Sequence, residues 1–388
     1  MDPALHSVCA SYTTDTLVVR GRSRQGGAAV MQALVKTHPG PGLELSDVPV
    51  PRPGPGEVLV RVAVAAVCGS DVARYRWSRN YEAGAAKDMT RDLPRILGHE
   101  FSGTIADVGP DAPPDLPAGT RVAIRNILGC GRCRSCVVGY ASTCTRRRTI
   151  GVHTDGGYAE YAVVPAANCT VLDDGFDLHL AAALQPFAIA THAVDKAGLT
   201  PGATFAVWGL GPVGLGVVMA AALCGAAAVA AFDLNPERVA EARALGVPAY
   251  DPRETAPESV LAPRSAEALF DAAGAGAAVL EQAGTLVQRG PVVLIGNLPG
   301  RVDAELMPLI MAEQRILGVR SYSAPAWDRA VRTVASTPFH RTLGDEVPLG
   351  PAALERFELA ASGGGRPFAV VPGSARNRAA RAGAADRR

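Results

Sequence analysis

Residues 203–233 read ATFAVWGLGPVGLGVVMAAALCGAAAVAAFD, and the fold of the chain follows from this stretch. The apolar run that ends at Trp208 predicts a buried parallel strand, and Leu215 to Leu223 predicts a helix of small apolar residues. A glycine-rich turn separates the two, and a second apolar run, Ala228 to Phe232, ends on Asp233. This is the βαβ fingerprint of a dinucleotide-binding fold, which consists of a strand, a Gly-x-Gly-x-x-Gly turn, a helix, a second strand and a terminal acid.

Each part of the fingerprint has a physical reason. Gly209 permits the tight turn, Gly211 lets the backbone approach a pyrophosphate, and Gly214 lets the helix pack closely on the strand. The helix N-terminus offers free N–H groups to the phosphates. Asp233 follows Gly214 by 19 residues, and a carboxylate there accepts both ribose hydroxyls and repels a 2′-phosphate. The sequence therefore predicts NAD rather than NADP, bound by Gly209, Gly211, Pro212, Val213, Gly214, Asp233 and Arg238.

Size and composition limit the classes of function. The chain has 388 residues, a formal net charge of +1 and 19% charged residues. That length predicts two domains, and the balanced charge predicts neither a nucleic-acid nor a membrane partner. The uncharged run 205–232 is long enough to span a bilayer, but its Gly/Pro break and its lack of flanking aromatic or basic anchors favour a buried strand and helix.

The hydrophobic pattern divides the chain. Before about residue 177, short strands with Gly and Pro between them predict a small barrel or sandwich, and later alternating helices and strands predict an open parallel sheet. We expect residues 1–30 to be a disordered extension or a misassigned start, and the tail 373–388 to be disordered. The predicted strands include Met31–Val35, Glu57–Val64, Phe101–Val108, Thr120–Ile124, Gly157–Val164, Val292–Gly296 and Ile316–Tyr322.

Four of the eight cysteines lie within 15 residues of one another. The spacing Cys-x2-Cys-x2-Cys-x7-Cys folds four thiolates around one point, which makes a closed tetrahedral zinc site with no position left for a substrate. This zinc would be structural, since it holds a surface lobe that has no core of its own. Metal spacing, without a recognisable signal peptide, indicates a reducing cytoplasm rather than disulfides. The four predicted ligands are Cys130, Cys133, Cys136 and Cys144.

A second candidate metal site is assembled from distant residues. Cys68 stands in Val-Cys-Gly-Ser-Asp after a predicted strand, and His99 and Glu100 stand in Leu-Gly-His-Glu. Taken alone, each pattern is more typical of a buried thiol or a loop histidine. Together with the four-cysteine lobe and the dinucleotide fingerprint, they favour a second metal site.

Five stretches occur in the order typical of the zinc-dependent medium-chain alcohol dehydrogenases, which the chain resembles over roughly residues 31–372. Within that family it is most similar to the threonine 3-dehydrogenase and polyol (sorbitol) dehydrogenase branch, through Thr149-Ile150-Gly151-Val152 and Gln185-Pro186-Phe187. The resemblance implies an α/β fold: a Rossmann domain at 186–322 beside a GroES-like β-barrel catalytic domain at 31–185 and 323–372. The five stretches are Cys68-Gly-Ser-Asp, Gly98-His-Glu, the cysteine lobe, the segment from His153 to Tyr161, and Gly209-Leu-Gly-Pro-Val-Gly.

The resemblance also implies roles. Cys68 and His99 would hold a catalytic zinc, with Glu100 as a ligand or an exchangeable one, and Ser70 would hydrogen-bond the substrate hydroxyl and pass on its proton. The implied reaction is NAD-linked hydride transfer that interconverts a secondary alcohol (a polyol, sugar, cyclitol or amino alcohol) and its ketone. The implied assembly is a homodimer or homotetramer.

This chain departs from the family pattern at three places. Gln185 stands where the branch usually has an acidic zinc ligand, and we still expect it to bind zinc, as a weaker donor. Ala73 stands where threonine dehydrogenases carry a relay histidine, so threonine specificity does not follow. These two departures keep open a zinc-free, quinone-reductase-like or non-catalytic relative as the alternative.

The third departure is a long, basic interval between Cys68 and His99. Together with Arg125, at a strand end where relatives often have an acid, it either forms a solvated face or binds an anionic substrate. The interval contains Arg74, Arg76, Trp77, Arg79, Tyr81, Lys87, Arg91 and Arg95.

Overall fold

A computed structural model describes residues 29–77, 93–226, 228–287, 289–296 and 301–373. Residues 1–28, the tail from 374 onwards and residues 78–92 of the arginine-rich interval lie outside these ranges. The expected extension, the expected tail and the roles of Arg79, Tyr81, Lys87 and Arg91 therefore stay predictions. No helix of the described residues is long and apolar enough to cross a membrane.

The chain forms an antiparallel body and a parallel sheet. In the first part of the chain the strands are β1 (Val30–Lys36), β2 (Glu44–Pro49), β3 (Glu57–Ala66), β4 (Arg95–Ile96), β5 (Glu100–Val108), β6 (Arg121–Ile124), β7 (Ile127–Leu128), β8 (Arg148–Thr149), β9 (Tyr161–Pro165) and β10 (Cys169–Val171). They are followed by β11 (Thr204–Trp208), β12 (Ala228–Phe232), β13 (Ala249–Tyr250), β14 (Ala268–Asp271), β15 (Pro291–Leu294), β16 (Arg315–Gly318), β17 (Asp345–Pro348) and β18 (Phe368–Val371).

Helices connect and cover these strands. They are α1 (Gly69–Arg76), α2 (Arg134–Val137), α3 (Leu178–Ala182), α4 (Leu184–Ala197), α5 (Pro212–Leu223), α6 (Pro236–Ala244), α7 (Pro257–Val260), α8 (Ala277–Leu286), α9 (Met307–Met311), α10 (Ala324–Thr333) and α11 (Pro351–Ala361). Short 3₁₀ segments cover Ala141–Thr143, Ala166–Asn168, Val334–Ser336 and Pro338–Leu343.

The antiparallel body brings distant residues to one end of a sheet. Its main sheet has the order β10-β6-β5-β3-β18-β17, with β9 also paired to β3, and β2-β1-β4 form a separate three-stranded sheet. In the β3–β5 register Ala66 lies opposite Glu100. Cys68, two residues after β3, and His99, one residue before β5, therefore leave the sheet side by side. Strand β18 pairs with β3 as well, so the end of the described chain returns to this body.

The parallel sheet has the strand order β13-β12-β11-β14-β15-β16. This is the doubly wound order 3-2-1-4-5-6, in which a ligand binds outside the carboxyl ends of the strands, where the winding reverses between β11 and β14. The strands are apolar because both faces are covered: Phe205 and Val207 pack into one cluster, and Ala206 and Trp208 pack into another.

Several predicted bounds differ from the observed ones. The strand expected at Gly157–Val164 begins only at Tyr161, because residues 156–158 donate their backbone N–H groups to Ile96, Gly98 and Leu97 instead. The strand expected to reach Tyr322 ends at Gly318. The helix expected from Leu215 already begins at Pro212, whose fixed φ suits a first helical turn.

Candidate active site and metal sites

The four lobe cysteines converge as their spacing predicts. The sulfurs of Cys130, Cys133, Cys136 and Cys144 all lie within 4.8 Å of one another. Backbone N–H groups point at them: the N–H of Cys133 donates to Cys130 Sγ at 3.4 Å, and that of Arg146 donates to Cys144 Sγ at the same distance.

The electrostatics of the lobe fit a cation. Backbone hydrogen bonds from Arg132 and Cys133 lower the pKa of Cys130 to about 5, which favours its thiolate. Burial and the neighbouring Cys133 raise the pKa of Cys136 to about 12. Without a metal, Cys136 thus keeps its proton beside the other three sulfurs. A bound zinc ion would displace that proton and stabilise all four sulfurs as thiolates.

The second predicted group also comes together. One ligand atom from each of Cys68, His99 and Glu100 lies within 4.8 Å of the others, and His99 Nε2 is 3.6 Å from Glu100 Oε1. Cys68 is the N-cap residue of α1, directly after β3, while His99 and Glu100 are buried at the start of β5. A soft thiolate, an imidazole and a carboxylate are a donor set suited to zinc.

An unpartnered buried oxygen on Glu100 supports a cation at this group. Glu100 Oε1 and Gln185 Oε1 are buried and, within the described part of the chain, accept no hydrogen bond. Such atoms are rare in folded proteins and costly to leave alone. A metal ion would satisfy Glu100 directly. The predicted role of Gln185 as a ligand stays a prediction, since no distance joins its oxygen to the cluster.

Asp71 orients the cluster. Its side chain is fully buried, its Oδ1 lies 3.2 Å from His99 Nδ1, and its Oδ2 accepts a 2.8 Å hydrogen bond from the Tyr158 hydroxyl. A hydrogen bond from Nδ1–H of His99 to Asp71 directs Nε2 toward a metal, which would displace the proton that Nε2 carries when the ring is charged. Asp71 is the last residue of the Cys-Gly-Ser-Asp motif, and its role here was not predicted from the sequence.

Burial and charge shift the pKa values of these groups. Burial alone would lower the pKa of His99, but the charge of Asp71 and the hydrogen bond to it raise that pKa well above its usual value. Burial alone would raise the pKa of Cys68, but its hydrogen bond to His99 and the charge of His99 lower it to about 7. Burial and the charge of Cys68 raise the pKa of Glu100 well above its ordinary range. Metal binding would therefore release protons from this cluster.

Ser70 lies one turn before an arginine. Its hydroxyl oxygen accepts a 2.9 Å hydrogen bond from Arg74 Nη1, and the same nitrogen lies 3.1 Å from Asp71 Oδ1. Among the described residues of the basic interval, Arg74 thus reaches the cluster. Arg76 donates instead to the carbonyl of Ala360 at 3.0 Å, on the surface.

Two other basic residues named above are engaged elsewhere. Arg95 forms a 3.0 Å ion pair with Asp155. Arg125 donates to the carbonyl of Ala167 and so supports the loop after β6.

The glycine-rich turn has the shape of a phosphate cradle. Gly209 has φ +94°, and a Cβ there would lie 2.6 Å from the backbone nitrogen of Ala273. A Cβ on Gly214 would overlap the carbonyl oxygen of Gly209. Gly211, the N-cap residue of α5, has nothing within 4 Å of its Cβ position, so space remains where a phosphate would approach the helix N-terminus.

Acidic residues at the strand ends organise the surrounding loops. Asp233 Oδ2 accepts a 2.7 Å hydrogen bond from the N–H of Leu210, and Arg238 Nη1 lies 3.5 Å from the same oxygen. Asp271, at the end of β14, is fully buried and accepts N–H groups from residues 273–276. Asp271 was missed in the sequence because nothing in its local pattern marks it.

A cavity of about 140 Å³ adjoins Gly211 and Pro212. Arg238 lines it together with Arg341 and Arg366, which come from the segment after the parallel sheet. These two arginines were not identified from the sequence, because only the fold brings them beside the turn.

Two protein-family models match the chain. The model of the alcohol dehydrogenase GroES-like domain matches residues 54–174, within the antiparallel body, and the model of the zinc-binding dehydrogenases matches residues 212–336, which contain most of the parallel sheet. Among curated relatives, the L-threonine 3-dehydrogenase of Streptomyces coelicolor is 38% identical over 216 residues, which is 56% of this chain and 61% of that enzyme. The chain thus matches about three fifths of the length of this relative.

Solved structures match over most of the chain. A Sinorhizobium meliloti protein described as a zinc-binding dehydrogenase, bound to NADP, has a TM-score of 0.79 and 28% identity, over 89% of this chain and 100% of its own. An alcohol dehydrogenase of Escherichia coli complexed with NADH has a TM-score of 0.76 and 26% identity, over 88% of this chain and 99% of its own. These findings confirm the predicted fold class, and the chain belongs to the zinc-dependent medium-chain alcohol dehydrogenase family.

Proposed function

We propose that this protein interconverts a secondary alcohol and its ketone by hydride transfer to or from NAD, with one catalytic and one structural zinc. The convergence of Cys68, His99 and Glu100 within 4.8 Å carries this proposal, because zinc-free relatives have no use for such a buried donor set. The alternative, a quinone-reductase-like or non-catalytic protein, is less well supported for the same reason. Sugars, polyols, cyclitols and amino alcohols remain the candidate substrates.

The residues of this chain have separate parts in the reaction. Cys68, His99 and Glu100 would hold the catalytic zinc, and the turn from Gly209 to Gly214 would hold the dinucleotide. Zinc supplies a Lewis acid that lowers the pKa of an alcohol, and NAD supplies a hydride acceptor. Ser70 Oγ would accept a hydrogen bond from the substrate hydroxyl, and as that proton is transferred to Oγ the Ser70 hydroxyl would release its own proton toward solvent. Arg74, which donates to that oxygen, fixes its orientation.

Metal content and activity test this function together. Purified protein should contain two zinc ions per chain, one for each cluster. His99→Ala should remove one of them and abolish alcohol-dependent formation of NADH, whereas Cys130→Ser should remove the other and lower the melting temperature. A protein with a single zinc in an intact lobe, or a His99→Ala variant of unchanged activity, would overturn the proposal.

We infer a homodimer formed through the outer edge of the parallel sheet. Strand β16 is the last strand of the sheet order, and Ile316 on it is exposed. Met307, Ile310 and Met311 of the preceding α9 are also exposed, at 63%, 66% and 74%. Among the described strands, β16 has a neighbour on one side only. A free strand edge together with exposed apolar side chains is typical of a pairing surface. Light scattering should give twice the chain mass, and Ile310→Asp should reduce it to one chain if this surface is the interface.

The cytoplasm is the proposed location. The cysteines that the structure describes are free, and four of them are grouped for metal binding, which suits a reducing compartment. Fractionation of the native host should recover the protein with cytoplasmic markers, and recovery in a secreted fraction would contradict this.

A further inference from the structure

Three arginines from three separate elements act on one another electrostatically, and one of them, Arg74, contacts the catalytic cluster. They are Arg74 on α1, Arg147 just before β8, and Arg320 just after β16. The segment that carries Arg147 packs against the cluster, since a Cβ on Gly151 would overlap the carbonyl of Gly98 and lie 2.8 Å from the backbone nitrogen of His99. Burial and the positive charges of Arg320 and Arg74 lower the pKa of Arg147, so both of these arginines lie within electrostatic range of it. Of the three, only Arg74 lies in the basic interval between Cys68 and His99.

Arg74 links this arginine group to the chemistry. Its Nη1 donates to Ser70 Oγ at 2.9 Å and lies 3.1 Å from Asp71 Oδ1. The charge of Arg74 is therefore balanced by Asp71, and its position is fixed beside the hydroxyl assigned to proton transfer. The other two arginines add positive charge within electrostatic reach, since the charges of Arg74 and Arg320 both act on Arg147.

The charges of Arg147 and Arg320 are not neutralised by a carboxylate among the described residues. Nε and Nη2 of the half-buried Arg147 donate to the hydroxyl of Thr149, at 3.3 and 3.0 Å. Among the residues that the structure describes, neither Arg147 nor Arg320 forms an ion pair with a carboxylate, whereas Arg74, Arg95 and Arg253 each do. Arg147 is half-buried and Arg320 is exposed. Like charges held near each other are unfavourable unless an anion joins them.

A hydrogen-bond chain fixes where this group lies. The Tyr322 hydroxyl donates to Asn126 Oδ1 at 2.8 Å, and the N–H of Ile150 donates to the Asn126 carbonyl at 2.9 Å. Asn126 thus joins the segment that carries Arg320 to the segment that carries Arg147. Arg320 follows the carboxyl end of β16, so the group lies at the edge of the parallel sheet where a dinucleotide fold binds its ligands.

Building on the proposed dehydrogenase function, we propose that the substrate alcohol carries a carboxylate or phosphate group, which Arg147 and Arg320 bind while Arg74 holds Ser70. A guanidinium offers a planar fork of donors that matches either anion in two parallel hydrogen bonds. The substrate's reacting hydroxyl would then face Ser70, and its anionic group would lie toward Arg147. The two arginines are specificity-determining residues in this arrangement.

Matched pairs of alcohols test the proposal. The carboxylate pair is 3-hydroxybutyrate and butane-1,3-diol, and the phosphate pair is glycerol 3-phosphate and glycerol. Each is assayed for NAD reduction at low and high salt, and its binding to the zinc-loaded protein with NADH is measured by calorimetry. The variants are Arg147→Gln and Arg320→Gln, with Arg332→Gln on the exposed side of α10 as the matched control.

The anionic member of at least one pair should have a kcat/KM and an affinity about tenfold or more above its neutral partner at low salt, an advantage that shrinks as salt screens the charges. Arg147→Gln and Arg320→Gln should each remove most of this advantage while the neutral alcohol changes little, and Arg332→Gln should behave as the parent. Which pair responds identifies the anion as carboxylate or phosphate.

The remaining outcomes separate this inference from the proposed function. If neutral alcohols are oxidised with the same kcat/KM as anionic ones at every ionic strength, the inference is overturned and the proposed dehydrogenase function is unaffected. If Arg147→Gln lowers kcat/KM equally for the anionic and the neutral alcohol of a pair, the inference is also overturned. Binding of an anion that depends on Arg147, without oxidation of any alcohol, supports the anion site and overturns the function. If no member of either pair binds or reacts, the inference is overturned.

Discussion

The buried carboxylate of Asp71 lies 3.2 Å from Nδ1 of His99, and this contact decides which ring nitrogen is left for a metal. Its other oxygen is held by the Tyr158 hydroxyl at 2.8 Å, so the carboxylate is fixed from two sides. The same residue faces Arg74. Asp71 therefore connects the proposed zinc ligand, the core of the antiparallel body and the arginine beside Ser70.

Asp71→Asn should weaken zinc binding at the catalytic cluster by about 10- to 100-fold, as is typical when the hydrogen-bond partner of a ligating histidine is changed. The amide keeps the shape of the side chain but removes the negative charge that stabilises the ring. Competition with a chromophoric chelator measures the affinity. Asp345→Asn, which alters an exposed ion pair with Arg356, is the control. Equal affinities in all three proteins would show that Asp71 has only a packing role.

Gly98→Ala should destabilise the fold and disturb His99, the next residue. Gly98 has φ +95°, and a Cβ there would lie 2.7 Å from the Tyr158 ring. Strain and overlap together predict a loss of about 2 to 4 kcal/mol in the free energy of unfolding. Gly42→Ala is the matched control, because Gly42 has φ +102° and open space around its Cβ position, so only strain of about 1 kcal/mol applies. Urea unfolding measures both, and similar losses would contradict the role assigned to the Tyr158 contact.

Local pattern was enough to predict the parts of this protein whose chemistry lies in consecutive residues. The turn from Gly209 to Gly214 and the cysteine lobe are of this kind, because spacing alone places their donors. Local pattern alone does not predict that Cys68 and His99 meet, because their convergence depends on the strand register that sets Ala66 opposite Glu100. That register is a property of the sheet and appears in neither segment.

The proximity of Arg147 and Arg320 could not be predicted from the sequence for a related reason. They are 173 positions apart, and the Tyr322–Asn126 hydrogen bond joins their segments only after both sheets have formed. The strand predicted at Gly157 was wrong in its first residues because the backbone there binds the loop before His99, an interaction with no local signal.

His192 should make the fold sensitive to acid. Its ring is buried against Tyr140, and within the described residues its Nδ1 has no hydrogen-bond partner. Burial, with the charge of Lys196, lowers the pKa of His192 from 6.5 to about 4. A depressed histidine pKa means that the folded state favours the neutral ring, so this stability is complete above pH 6.5 and is lost as the pH falls toward about 4.

His192→Phe keeps the aromatic contact and removes the titration. The difference in the free energy of unfolding between parent and variant should therefore change by up to about 3 kcal/mol across that pH range, in favour of the variant at low pH. Urea unfolding at a series of pH values measures it. Zinc loss in acid affects both proteins and cancels in the difference, and His340→Phe, on an exposed ring, is the control. Parallel pH profiles for parent and His192→Phe would refute the prediction.

Asp233 should set the preference for NAD over NADP. A carboxylate at the end of β12 repels a 2′-phosphate, so Asp233→Ser should raise the ratio of NADP to NAD use in kcat/KM by about tenfold or more. The carboxylate of Asp233 has a second role, because its Oδ2 also accepts the N–H of Leu210 at 2.7 Å and so helps to shape the turn.

Asp233→Asn separates the two effects, since it keeps an acceptor oxygen for that N–H and loses only the charge. We expect Asn to shift the preference while retaining more total activity than Ser, and the nearby Arg238, 3.5 Å from the carboxylate, to be freed for the added phosphate. Steady-state kinetics with both cofactors measure the ratio. A parent enzyme that already prefers NADP, or an Asp233→Asn variant with an unchanged ratio, would rule out Asp233 as the selective residue.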